Sequence, residues 1–356
     1  GCSSLSYIII PDSVTSIGNY VFDGCSSLTS VTIPNRVTSI GDRAFDNCSS
    51  LSSIVIPNGV KSIGEYAFYS CTSLSSITIP ENVTNIGNNA FYGCSSLASV
   101  VWNATDYENS KRKSPFNNSR SITSFSFGDG VKSIPAFLCS GMANLQSVII
   151  PDSITNIGEG AFSGCTSLRS LTIGSKINSI GKDAFDYCSS ISNITITADS
   201  MEEYLNGSTN AKLQGGDFND LKSAKRHLLI NHEIITDVVI PESVDTIQSN
   251  AFYNCSDIRS LTLHDDITDI FGKPFLGCDS IQSITIITSS IEKYCQNALN
   301  YKLYNGGLPH SKRKIIINGQ EVTSLVIPES VNVIATHSFY NCTALTSLAL
   351  PKSIEW

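Results

Sequence analysis

The sequence predicts a solenoid of about fourteen coils of ~23 residues. A parallel β-sheet lines its concave face, mostly irregular turns line the other, and two helix-plus-hairpin insertions interrupt it. Three observations predict this. Cys2, Cys25, Cys48, Cys71 and Cys94 stand 23 residues apart, and the interval returns between Cys165 and Cys188 and between Cys255 and Cys278. Each interval holds one short run of alternating apolar, β-branched residues closed by proline, the pattern of a half-buried strand. The rhythm also breaks twice in the same way, after Ile196 and after Ile286. A fixed period of this length marks a stack of units, each burying its apolar side on the next.

Within one unit, Leu28-x-x-Val31-x-Ile33 supplies the strand. Pro34 ends it because proline cannot donate to a ladder, Gly41 suits a turn, and Ala44-Phe45 closes the coil against the core. Fourteen strands follow, ending at Ile10, Ile33, Ile56, Ile79, Val101, Phe127, Ile150, Ile173, Ile196, Ile240, Leu263, Ile286, Ile327 and Leu350. Ser119 and Met142 take the cysteine slot where the thiols lapse, and Cys139 sits where other units place Phe.

At the first break Ser200 with Glu203, and at the second Ser289 with Glu292, fit a capping box, so a short helix is expected at each. A hairpin follows each helix. The first joins 228–230 to 234–240 through Asn231-His232. The second runs Ile315-Ile316-Ile317, turns at Asn318-Gly319 and resumes at Val322. The segment 103–118 reads as a loop with no regular pattern. The organisation is therefore regular coils over 1–196 with a loop insertion at 103–118, and a helix/hairpin insertion at 197–235. Coils return over 236–287, a second insertion spans 288–320, and C-terminal coils occupy 321–356, all as one continuous solenoid.

The unit Ala44-Phe45-x-x-Cys48-x-x-Leu51-x-x-Ile54-x-Ile56-Pro57-x-x-Val60-x-x-Ile63-Gly64 resembles the BspA-type leucine-rich repeats of bacterial surface proteins, and the likeness covers nearly the whole chain. The resemblance implies a leucine-rich-repeat solenoid in a secreted or surface-attached protein. Arrays of this type are associated with adhesion to host proteins or other cells, and it carries over no catalytic residue. The chain opens and stops inside a repeat, which reads as a piece excised from a longer protein, and no signal peptide is visible within it.

Composition narrows the function classes. A net charge of −8 with 15% charged residues disfavours nucleic acid, which needs a basic face, and an anionic membrane surface. No apolar run is long enough to span a bilayer. The basic runs Lys111-Arg112-Lys113 and Lys312-Arg313-Lys314 read as solvated loops. Twelve cysteines admit disulfides, but slots stacked at about 4.8 Å leave β-carbons farther apart than the roughly 3.8 Å a disulfide wants. A buried column of free thiols is the preferred reading. Zinc has no Cys-x-x-Cys pair to bind.

His227, His232, His264, His310 and His337 are scattered, with no catalytic or ligand constellation. Gly158-Glu159-Gly160 is explained by its place in the repeat. Asp265, Asp266 and Asp269 sit near one turn, as hydrated carboxylates or as a weak Ca²⁺ site. Sequons begin at Asn47, Asn82, Asn103, Asn117, Asn193, Asn206, Asn254 and Asn341, and composition alone produces them in a polar repeat. No metal, cofactor or catalytic residue is expected.

Outward strand positions carry Ser in eleven of fourteen coils, as at Ser30, Ser53, Ser76, Ser99, Ser124, Ser147 and Ser170. The next outward position is mostly β-branched, as at Thr32, Val55, Thr78, Val101, Thr172 and Thr195. Such a face is either structural packing between coils or a flat, neutral platform for a protein or glycan. Anchors of the kind that dominate interfaces, aromatics and Arg, gather where the repeat breaks: Trp102, Tyr107, Arg112 and Phe116, then Tyr294, Tyr301 and Tyr304. These are the candidate partner-binding residues, with capping of the core as their other role. The expectation is a non-enzymatic extracellular adhesion or protein-interaction module for host or neighbouring-cell surface proteins or glycans. The alternatives are a structural spacer and a carbohydrate-binding component of a polysaccharide-using system.

Overall fold

The computed structural model describes residues 1–107, 113–117, 120–207, 209–214, 221, 223–308, 310–352 and 354. They fall into two compact units, Gly1–Ile194 with Gly215–Ala224, and Thr195–Gln214 with Lys225–Trp356. Both are parallel-strand solenoids with few helices.

In the first unit, strands of three to five residues stack in parallel with like residues opposite each other: Ser30 beside Ser53, Val31 beside Ile54, Ser147 beside Ser170. The proline carbonyl after each strand turns the chain by accepting from the residue three further on, as Pro34 does from the Val37 N–H at 3.0 Å. A second ladder, unforeseen in the sequence because it is only two residues wide, joins Ser16–Ile17, Ser39–Ile40, Ser62–Ile63 and Asn85–Ile86. The glycine after each of these strands permits the stacking: a β-carbon at Gly64 would collide with the backbone of Gly41 and Asp42 one coil earlier.

Two columns of side chains fill the core. Phe22, Phe45, Phe68, Phe91 and Phe116 stack ring on ring at 5.1–5.3 Å. Beside them lie the thiols, all free. Cys48 Sγ donates to Phe22 O and Cys71 Sγ to Phe45 O at 3.1 Å, and Cys94 Sγ to Phe68 O at 3.2 Å, each carbonyl 26 residues earlier. Burial pushes Cys48 and Cys94 up to about 12, so these thiols are neutral donors and poor nucleophiles. Cys139 occupies a Phe slot as expected, and its carbonyl accepts from Cys165 Sγ at 3.3 Å. Two residues before each buried Phe, the backbone is left-handed even without glycine, as at Tyr20, Arg43, Tyr66 and Asn89. The strain, of order 1 kcal/mol, is offset by a ladder bond; the Arg43 N–H reaches Glu65 O at 2.9 Å.

Several expectations are corrected. Trp102, not Val101, ends its strand, since it lies opposite Ile79 in register. The described part of 103–118 is a coil and not a patternless loop: Phe116 continues the ring stack and Pro115 O accepts from the Phe91 N–H at 3.0 Å.

In the second unit, Asp237–Val239, Ser260–His264, Ser283–Thr288 and Lys312–Ile317 pair in parallel. The first strand of the second hairpin is thus itself a ladder member. Only its return, Gln320–Glu321, is antiparallel, across Asn318 and Gly319 with φ of 50° and 78°. Asn231 and His232 turn the first hairpin at φ of 48° and 66°. Helices Met201–Gly207 and Thr209–Gln214, then Ile291–Gln296 and Leu299–Asn305, replace the irregular turn of one coil each. Ser200 Oγ accepts from the Glu203 N–H at 3.0 Å, as expected. At the second helix the cap is Ser290, which accepts from the Lys293 N–H at 3.2 Å, and not Ser289.

The run Lys312-Arg313-Lys314 is also corrected. It lies in a strand, where Arg313 takes the core position opposite Ile284 and is fully buried. Its Nη1 and Nη2 donate to Asn300 O and Leu308 O at 3.0 Å each. The same arrangement appears at the first helical coil, where buried Arg226 Nε donates to Asn210 Oδ1 at 3.0 Å.

Candidate functional site

The residues proposed from sequence as partner contacts divide by burial. Trp102, Tyr107 and Phe116 are buried and pack on one another, Trp102 lying edge-on to Tyr107 at 5.0 Å and to Phe116 at 6.5 Å. They fill the wider cross-section of their coil and present no surface. Opposite Ile79 in register, Trp102 takes the inward position beside outward Val101, so these residues have the core-capping role. Arg112 lies outside the described residues.

Tyr294 is buried too, in place of a core Phe. Its ring packs on Phe339 at 5.9 Å, its hydroxyl donates to Ser338 O at 2.5 Å, and Asn300 Nδ2 donates to that hydroxyl at 2.6 Å. A buried phenol needs such partners. Burial raises its pKa well above the ordinary tyrosine value.

Tyr301 and Tyr304 remain, at 41% and 36% exposure on one face of helix Leu299–Asn305. Their rings close on His337 at 5.5 and 4.9 Å, and Tyr304 and His337 both touch Tyr340, at 5.4 and 5.2 Å. The Arg313 guanidinium approaches Tyr340 from the core at 5.4 Å. His337 Nδ1 is buried with no partner among the described residues. Sequence reasoning missed His337 and Tyr340. The available signal was their place in the repeat, two before and one after Phe339. Tyr66 and Tyr69 hold the same slots around Phe68 in the first unit, with ring centroids 5.6 Å apart. There the group is half-buried, with Arg43 over Tyr66 at 4.6 Å and Tyr92 stacked on Tyr69 at 5.4 Å.

Several titratable groups are tied into structural contacts. His227 Nδ1 meets Asp257 Oδ2 at 2.6 Å, and His264 Nε2 meets Pro241 O at 2.9 Å. Lys293 Nζ lies 3.0 Å from Asp265 Oδ1 and also bonds Asp266, tying its helix to the preceding turn. That hydrogen bond lowers the Asp266 pKa and raises that of Lys293. Among the described residues no group of three or more His, Cys, Asp or Glu is placed to hold a metal ion, and no helix is long and apolar enough to cross a membrane.

The strand face is flat and small-chained, with Ser30, Ser53 and Ser76 outward and scattered exposed aliphatics such as Val55 at 78% and Ile149 at 65%. The aromatic group joins exposed Tyr301 and Tyr304 to half-buried His337 and Tyr340.

Comparison with known proteins gives one family. The BspA type leucine rich repeat region matches in six copies, over residues 1–112, 109–208, 222–318 and 313–356. No curated protein matches the sequence. Among solved structures, a leucine-rich repeat protein from Bacteroides ovatus is 24% identical, with 89% of this chain and 85% of that one covered and a TM-score of 0.37. A leucine rich cell surface protein from Faecalibacterium prausnitzii is 24% identical over 97% and 87%, at 0.36. A leucine rich repeat protein of T. pallidum is 25% identical over 60% and 86%, at 0.34.

Proposed function

The chain belongs to the BspA-type leucine-rich-repeat family, and from that premise we propose that it is a non-enzymatic recognition module of an extracellular, cell-surface protein. It acts in adhesion by holding a surface protein of a host or neighbouring cell. The observation that carries this reading is the exposed cluster of Tyr301, Tyr304, His337 and Tyr340. Tyrosines held rigid by their neighbours give large contact area at little entropic cost, which is why hot spots favour them. Extended solenoid surfaces suit such partners. The family supports a role without chemistry.

The test is binding of the chain to a panel of extracellular-matrix and cell-surface proteins, repeated with the double variant Tyr301→Ala, Tyr304→Ala. Saturable binding weakened at least tenfold by the variant, with the melting transition unchanged, is the expected result. Binding to no member of the panel sinks the adhesive reading and favours a spacer, as the flat strand face on its own would.

A further inference from the structure

A cleft of about 620 Å³ opens in the second unit between residues 278–283 and residues 307–312. Its origin is the replaced turn. In regular coils main-chain bonds draw this part of the chain tight, as where the Ser50 N–H reaches Ser26 O at 3.2 Å. Here the chain arrives from a helix, and among the described residues no main-chain bond joins 307–311 to 278–281. Ser311 Oγ makes the link instead, to Ile281 O at 2.9 Å, and the main chain meets again only where the Lys312 N–H reaches Gln282 O at 3.0 Å. A side-chain link of the same kind, Ser121 Oγ to Leu97 O at 2.7 Å, joins two coils of the first unit.

The lining has two parts. The floor is apolar and buried, from Cys278, Ile281 and Leu308. The walls carry Asp279, Gln282, Ser283, His310 and Lys312, all reachable by solvent. We propose that this cleft binds a saccharide unit of a neutral glycan.

Hydroxyl groups both donate and accept, and the walls offer both: a carboxylate and an amide oxygen to receive, an ammonium, an amide NH₂ and a serine hydroxyl to give. A carboxylated sugar or an acidic peptide meets Asp279, and a cationic ligand meets Lys312, so a ligand without charge fits best. The C–H face of a pyranose suits the apolar floor. The volume lies within the roughly 300–1,000 Å³ of small-ligand clefts. An extended peptide has no strand edge to join here, because Ser283–Thr288 and Lys312–Ile317 already pair with each other along six residues. Asn341 donates through Nδ2 to Ser311 O at 3.4 Å, which ties the cleft wall to the following coil. The inference goes beyond protein adhesion and survives its failure, since its ligand and its residues are different.

The test is calorimetric titration of the whole chain with neutral trisaccharides (gluco-, manno- and N-acetyllactosamine-type), with sialyllactose and an acidic peptide as controls. Saturable binding of a neutral saccharide is expected, weakened about thirtyfold by Gln282→Ala with His310→Ala, as two lost hydrogen bonds of about 1 kcal/mol each imply. Both positions are exposed, and an unchanged melting transition shows the variant is folded. Failure of every neutral saccharide, preference for either acidic control, or indifference to the Gln282/His310 pair overturns the proposal. None of these results bears on the protein panel.

Discussion

Around Phe45, Phe68 and Phe91 each coil meets the next through a stacked ring, a thiol on a carbonyl, and strands in matched register. Around Tyr294, Asn300 and Arg313 the same cross-section holds a phenol, an amide and a guanidinium, each bonded to main-chain carbonyls. The regular coils bury few polar side chains, among them Asp46, bonded by Arg43 Nη1 at 2.6 Å and Asn47 Nδ2 at 2.8 Å. The helical coil buries a guanidinium, a phenol and an amide, received by the carbonyls of Ser338, Asn300 and Leu308. The exposed aromatic cluster and the cleft both lie against this second type of coil. A repeat that specifies its neighbour at every position leaves no room for a site; one that gives up the ladder on one side does.

The comparison is broken most forcefully at the ring stack. Phe68 is fully buried with Phe45 and Phe91 on its two faces at 5.3 and 5.2 Å, so neither neighbour can collapse into the space it leaves. Phe68→Ala is expected to destabilise the first unit by about 3–5 kcal/mol. Denaturant titration with hydrogen exchange checks this, with protection lost in coils on either side of the change. A loss below about 1 kcal/mol would mean that the stack is not the mainstay of the regular coils.

Arg313→Met replaces a buried charge by an apolar chain of similar reach, which by itself is neutral or favourable. It leaves Asn300 O and Leu308 O without their donors, at about 1–3 kcal/mol for a buried group left unpaired. The net expectation is a loss of about 2–3 kcal/mol, confined to the second unit, with faster hydrogen exchange over 299–313. Unchanged exchange there would show that the guanidinium is not what holds the helical coil in place.

The thiol column supplies a pH test. Burial raises Cys48 and Cys94 from an ordinary value near 9 to about 12. A raised acid pKa means that the folded chain keeps protons the unfolded chain releases. The stabilisation is thus complete below about pH 9 and lost as pH climbs toward 12. At pH 10 the loss is about 1 kcal/mol per thiol. Melting curves from pH 8 to 11 should fall for the wild type and fall less for Cys48→Ser with Cys94→Ser, whose hydroxyls do not titrate in that range. Equal slopes would place the thiols outside the linkage.

How much of this was legible depends on what repeats. The period, the strand with its closing proline, the Phe slot and the displacement of Cys139 into it were readable, since each recurs under the same packing demand. Trp102 and Phe116 were misread because their coil is two residues longer, with 25 rather than 23 residues between the paired Ser99 and Ser124. The pairing of Phe116 with Pro115 in place of Ala-Phe hid the slot. Arg313 was misread because a basic triplet looks solvated, and only the register opposite Ile284 reveals that its middle residue points inward. His337, Tyr340 and the cleft were out of reach for a different reason. They arise from contact between a helix and coils far along the chain, and no local pattern encodes that.

The smallest effect tests register at a single residue. The second capping box was assigned to Ser289, yet the acceptor is Ser290, whose backbone is extended at φ −153° and whose side chain takes the Lys293 N–H. Aligning the two breaks explains the slip: Ser200 precedes Met201–Gly207 as Ser290 precedes Ile291–Gln296, so Glu203 corresponds to Lys293 and not to Glu292. Lys293 cannot supply the reciprocal half of the box, since an ammonium has no acceptor for the cap N–H; it bonds Asp265 and Asp266 instead. Ser290→Ala should therefore cost about 1 kcal/mol and loosen exchange over 291–296, while Ser289→Ala should lie within about 0.5 kcal/mol of the parent. Reversal of that order would return the cap to Ser289 and undo the alignment of the two helical coils on which the buried Tyr, Asn and Arg were matched.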